Sequence, residues 1–219
     1  MAKNDRRTER WLLAGLTAAA VAASGIAPHD RLTWFLEVSW VLVGLALVLL
    51  AWRRYPVTPL LWRLAFLHAL VLIVGGYYTY ARVPLGLWAQ EAWGWQRNHY
   101  DRLGHLFQGF VPAILAREVL IRSAVVRGQG WLFLLVTCVC LAFSAFFELL
   151  EWWAAVAYGD AAAAYLATQG DVWDTQWDMF LALVGAIVAQ LTLARLHNRQ
   201  IAQLGQARAS TLAATKTTR

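Results

Sequence analysis

Apolar residues in this chain come in long runs separated by short polar stretches. The runs have the length of a bilayer, since about 17–25 helical residues at about 1.5 Å each cross the hydrocarbon core. Six runs qualify, roughly 11–27, 34–52, 60–80, 101–121, 131–155 and 177–196. Backbone groups in lipid must be satisfied within their own segment, which leaves helices. The pattern predicts an all-α, polytopic membrane helix bundle of six transmembrane helices. Trp11, Trp34, Trp52, Trp62, Trp131, Trp152, Trp153 and Trp177 sit near the run ends, as an interfacial aromatic belt requires.

Charge orients the bundle. Of the 19 Lys and Arg, fifteen fall in the N-terminus, the second and fourth connections and the tail. Only Arg31, Arg82, Arg97 and Arg102 fall on the other side, so the positive-inside rule places both termini in the cytoplasm. Ten of the 13 acids go to the outer side. Residues 1–10 are then a cytoplasmic N-terminus, 11–197 the six-helix domain, and 198–219 a polar cytoplasmic tail expected to be disordered. A basic start, an apolar run and AASGIA also fit a cleaved signal peptide. That run is longer than most signal cores and lacks a clean A-x-A site, so retention of residues 1–27 as a helix is the preferred reading.

The composition, 60% hydrophobic and 15% charged, agrees with a multi-pass membrane protein. It offers no nucleotide-binding glycine loop, no haem signature and no reason to expect nucleic acid. Cys138 and Cys140 lie two apart in an apolar run, on different faces of a helix, and cannot bridge each other. The outer connection at 81–100 carries Trp88, Trp93 and Trp95. It reads either as a short interfacial helix or as an apolar cap over the bundle.

One polar constellation stands against this background. Residues 148–178 contain no Lys or Arg but hold Glu148, Glu151, Asp160, Asp171, Asp174 and Asp178. Carboxylates near hydrocarbon are costly and mark sites. In the fourth run, Asp101, His105 and Gln108 are spaced i, i+4, i+7 and share a face. Pro112 removes a helix bond to the Gln108 carbonyl and predicts a kink there. Glu148 falls at the depth of His105, with Glu151 three residues on. Asp171, Asp174 and Asp178 share a face if helical. Glu37 lies one turn into the second run, and Gly75-Gly76 with the following tyrosines ends the third.

Asp, His and Glu at one depth suit a divalent metal ion. The expected ligands are Asp101, His105, Glu148, Asp174 and Asp178, with Glu151, Asp171 and Gln108 as a second tier and Asp160 as a solvated loop acid. A hydrogen-bonded polar network that locks the helices explains the same residues. His68, mid-span, reads as a proton relay or as a neutral His bonded to a neighbouring helix. Glu118 and Arg122 read as a local i, i+4 anchor, and His29, His99 and His197 carry little signal.

The strings NHYDRLGHLFQGFVPAILAREVL, FFELLEWW and TQGDVWDTQWDMFLALVG resemble the YjdF-type bacterial inner-membrane proteins, over about Trp11 to Gln200. That resemblance implies an inner-membrane location and no assigned chemistry. A looser resemblance is to VanZ-like proteins of the cell envelope. It rests on Asp101, His105, Glu148, Asp171, Asp174 and Gly185; Glu151 and Asp178 depart from that pattern.

Three functions remain open. The first is a metal-dependent enzyme acting on a lipid or envelope precursor at the outer leaflet, with membrane lipids as partners. The second is a small ion- or proton-coupled transporter. The third is a non-catalytic envelope scaffold or stress protein. Catalytic residues, substrate and oligomeric state are not legible. Carboxylates converging on a point favour metal; carboxylates each paired with Tyr, Trp or Arg favour a structural network.

Overall fold

A computed structural model describes residues 3–51 and 54–217, with side chains over 7–51 and 54–206. Trp52, Arg53 and Arg219 lie outside the described residues, as do the side chains of Lys3, Asp5, Arg6, Arg208 and Lys216. The described fold is helical throughout. In chain order it runs α1 (Lys3–Ser24), α2 (Arg31–Ala51), α3 (Pro59–Tyr78), α4 (Pro84–Trp93), α5 (Tyr100–Arg122), α6 (Gln129–Tyr158), α7 (Ala163–Leu166) and α8 (Asp174–Thr217).

Local chemistry sets the boundaries. Asp30 accepts the Thr33 backbone N–H at 2.7 Å and caps α2. Thr58 caps α3, accepting from Leu61 N, with Pro59 in the first turn, where its missing N–H costs nothing. Pro84 opens α4, and Gly94, at φ 67°, closes it by donating back to Gln90 and Glu91. The segment 84–93 is thus a short helix, with Leu85, Leu87, Trp88 and Trp93 exposed. Pro112 leaves α5 continuous as a helix.

Four segments are long and apolar enough to cross a membrane: Arg31–Ala51, Pro59–Tyr78, Gln129–Leu166 and Asp174–Gln206. The helices over the predicted spans 11–27 and 101–121 are present but are not among them. For α5 the reason lies in its charged residues, Asp101, Arg102, Arg117, Glu118 and Arg122. Those positions are compatible with a bilayer only because α5 is wrapped, packing on α8, α6 and α3. Exposed Leu47, Leu50, Phe146 and Leu191 face outward on α2, α6 and α8.

The α5–α8 crossing organises everything else. A methyl placed on Gly109 would overlap the Ala182 carbonyl, and one on Gly185 the Leu106 carbonyl. Two backbones are therefore in contact, flanked by fully buried Ala113, Ala182, Ala186 and Ala189. Small residues serve this purpose in membranes, where close packing replaces the hydrophobic drive between helices. Cys140 is buried and Cys138 exposed, both unbridged, as their spacing requires.

The C-terminal end of α5 holds a second polar centre that the sequence undervalued. Glu118 is fully buried and accepts from Thr58 Oγ1 at 2.7 Å, Arg122 at 2.7 Å and the Thr58 backbone N–H at 3.1 Å. His197, read as carrying little signal, is also fully buried and meets the Glu118 carboxylate at 3.1 Å. The expected anchor of Glu118 and Arg122 therefore ties α3, α5 and α8 together. The tail also differs from expectation, since α8 continues through Asn198 to Thr217. Its first residues are docked, with Arg117 donating to Asn198 Oδ1 at 2.8 Å and the Leu60 backbone N–H to Gln200 Oε1 at 2.9 Å.

Candidate functional site

The glycine crossing aims the site. His105 is four residues before Gly109 and Asp178 seven before Gly185, so each lies on the face that meets the other helix. The imidazole Nε2 stands 3.6 Å from Asp101 Oδ1 and 3.9 Å from Asp178 Oδ2. Its Nδ1 lies 3.1 Å from Gln108 Oε1 and 3.8 Å from Glu148 Oε1 on α6. One donor atom each from Asp101, His105 and Asp178 falls within 4.8 Å of the others. All three are buried, as are Gln108 and Glu148. Asp178 Oδ1 and Glu148 Oε1 have no hydrogen-bond partner among the described residues.

Asp174 departs from the expected ligand set. Its Oδ1 receives Arg97 at 2.5 Å, so it belongs to an ion-pair cluster over the site. Arg97 also reaches Asp171 at 3.3 Å and Asp101 at 4.0 Å, and Arg102 reaches Asp171 at 2.6 Å. The Trp173 backbone N–H, with Arg102 and Arg97, holds the Asp171 carboxyl below the usual carboxylate range. Asn98 and Gln169 exchange two hydrogen bonds beside this cluster, at 2.9 and 2.8 Å, joining the connection before α5 to the one before α8. Arg97 was visible in the sequence only as an outer-side charge. It precedes α5, so helical spacing did not connect it to Asp101.

Glu37 and Tyr80 were noted in the sequence but not assigned. The structure brings them to the site. The Tyr80 hydroxyl donates to Glu37 Oε2 at 2.9 Å, and both residues are buried. The Tyr80 ring lies against Gly75 and Gly104, where any side chain would collide with it or crowd it, and Glu37 packs on Gly76. The Gly-Gly pair therefore carried the signal. Glu151 is half-buried at the cavity wall, and Asp160 is exposed on a turn, as expected of a loop acid. His68 faces the same cavity and its Nε2 has no partner among the described residues, so the expected bond to a neighbouring helix is not made there.

By the criterion of converging against paired carboxylates, the cluster divides. Asp174, Asp171 and Glu37 are paired with Arg or Tyr. Asp101 and Asp178 converge on Nε2 of His105, and Glu148 approaches its Nδ1 from the other side. Ligands about 2.0–2.2 Å from a zinc ion stand roughly 3.4 Å apart, close to the spacings around Nε2. A divalent cation or shared protons would relieve the repulsion among these carboxylates.

The family described as predicted membrane protein (DUF2238) matches residues 9–199. The chain is 56% identical to the inner membrane protein YjdF of Escherichia coli (strain K12) over 182 residues, 83% of this chain and 87% of that protein. No solved structure matches it.

Proposed function

We propose, from the premise that this chain belongs to the DUF2238 family of predicted membrane proteins, that it is a metal-dependent enzyme of the bacterial inner membrane. It crosses the membrane six times with both termini cytoplasmic. Its site lies at the outer leaflet and acts on a lipid or envelope precursor. The fifteen-to-four bias in basic residues supports the orientation. Reporter fusions after Arg54 and Arg127 should read cytoplasmic, and fusions near Ala163 exterior. The reverse pattern would remove the outer-leaflet assignment.

The observation that carries the proposal is the convergence of Asp101, His105 and Asp178 within 4.8 Å, with unpartnered oxygens on Asp178 and Glu148. In this reading those three hold the cation. Glu148, 3.8 Å from Nδ1 on the other edge of the ring, sits with Gln108 behind the metal-facing nitrogen and helps to orient the imidazole. Arg97 and Arg102 cover the site, held there by Asp174 and Asp171.

Metal binding is linked to stability. A cation at 100 times its dissociation constant stabilises the folded state by about 2.7 kcal/mol. Melting in detergent is therefore expected to rise when Zn, Mn, Mg or Ca is added after EDTA. Asp178→Asn and His105→Ala should lose that rise. At a site of pure repulsion, neutralising Asp178 instead raises the melting temperature with or without metal. No metal-dependent shift in the wild-type protein would defeat the proposal. His68, whose Nε2 faces the cavity without a hydrogen-bond partner among the described residues, favours ion or proton coupling as the second reading. In that case Asp178→Asn abolishes a proton flux in vesicles and changes no metal response.

A further inference from the structure

A cavity of about 520 Å³ runs from this cluster down between α2, α3, α5 and α6. It is within the range of ligand sites. Glu37, Tyr80, Asp101, His105, Gln108 and Glu151 line its outer end, and nearly all the rest of the wall is apolar. On α2 the lining extends from Glu37 to Ala51, and on α5 from Asp101 to Val119. The fourteen helical steps from Glu37 to Ala51 make the trough about 21 Å long. Half of a ~30 Å hydrocarbon core is about 15 Å, so the trough is longer than one leaflet is deep.

The trough also has a side door. α2 packs on α3 and α7 and not closely on α5 or α6. At the outer end Trp40 closes the gap, its ring 6.4 and 6.1 Å from those of Phe143 and Phe147. Below Trp40, lining residues Val43 and Leu47 on α2 and Leu115 and Val119 on α5 are exposed. That face opens toward the bilayer.

We propose that this trough binds one long hydrocarbon chain of an amphiphile whose oxygen-rich head sits at the His105 cluster. The occupant is a single-chain lipid, a long acyl or polyprenyl amphiphile, that enters sideways from the membrane. An apolar wall favours hydrocarbon by about 0.8 kcal/mol per buried methylene. The polar end accepts only a head, because a chain there would cover Glu37, Asp101, His105 and Glu151, which line it, without compensation. Of a two-chain phospholipid the trough would take one chain and leave the other in the bilayer. This assignment rests on the site reading above and names its substrate class.

Gly44 provides the test. It lines the trough, and a Cβ placed there would meet no atom within 4 Å. Gly44→Trp therefore brings a large ring to the trough with no collision at Cβ. The full chain is reconstituted in phosphatidylethanolamine/phosphatidylglycerol vesicles. These are doped in turn with diazirine-bearing lysophospholipid, polyprenyl phosphate or two-chain phospholipid. Cross-links are mapped by peptide mass spectrometry.

At least one single-chain probe is expected to label the α2 and α5 walls near Leu47 and Leu115, and Gly44→Trp should cut that labelling about tenfold. Which of the two single-chain probes labels separates the acyl from the polyprenyl source. Equal labelling by the two-chain probe, no labelling of these walls, or labelling unchanged in a folded Gly44→Trp protein each overturns the assignment. Asp178→Asn should lose the metal-dependent melting shift and keep chain labelling. Loss of metal dependence alone thus counts against the site, and loss of labelling alone counts against the trough.

Discussion

Gly185→Leu is expected to destroy the bundle's central crossing. At this position α8 rests on the Leu106 carbonyl and the Phe110 N–H of α5. No rotamer change makes room, because the obstacle is backbone. The two helices must separate, and the buried alanines around them lose contact. Overpacking in an ordinary core costs about 1–3 kcal/mol, and backbone collision exceeds that, so a loss of about 3 kcal/mol or more is expected. His105 and Asp178 part together, since the crossing aims both. The measurement is the unfolding midpoint in mild detergent, with the metal response recorded in parallel. Gly109→Ala should show the same effect in smaller degree. Gly15 and Gly44 are the controls, with no atom near a Cβ placed on either. Alanine there should be neutral or stabilising by up to about 1 kcal/mol, since glycine weakens a helix interior. Unchanged stability in Gly185→Leu would mean that α5 and α8 do not touch as described.

Glu118→Ala is the second large effect. This carboxylate is fully buried and serves Thr58, Arg122 and His197 at once. Removing it strands the Thr58 backbone N–H and deprives Arg122 of its countercharge. Breaking a buried pair from one side costs about 3–5 kcal/mol. Arg122 keeps the Pro56 carbonyl at 2.8 Å and its guanidinium carbon 3.6 Å above the Tyr55 ring, which places the expected loss toward the lower end. Glu118→Gln keeps the shape and part of the hydrogen bonding and should cost less. A double-mutant cycle with His197→Ala isolates the interhelical share. A loss below about 1 kcal/mol in Glu118→Ala would reduce this centre to an exposed-type ion pair. The outer cluster should keep its metal response in Glu118→Gln, because the two centres sit at opposite ends of α5.

Local pattern determined the helices and the polar faces. Run length and the requirement for internal backbone pairing in lipid made the chain helical before any contact was known. The i, i+4, i+7 spacing of Asp101, His105 and Gln108 holds on any helix, so that face was legible from residue positions alone. So was the shared depth of Glu148, because rise per residue measures depth without reference to neighbours. Partner identity was not legible. Asp174 and Asp178 share a helix face and look alike in sequence, yet Arg97 takes one and His105 faces the other. That choice depends on how the connection before α5 folds over α8.

Glu37 and Tyr80 meet across 43 residues through a bed of glycines, and His197 reaches Glu118 across 79. Periodicity reports which way a side chain points from its own helix axis. It carries no information on rotation and offset between helices, and these are set by where two backbones can touch. Gly109 and Gly185 set them here, and with them the register of every charged residue on α5 and α8.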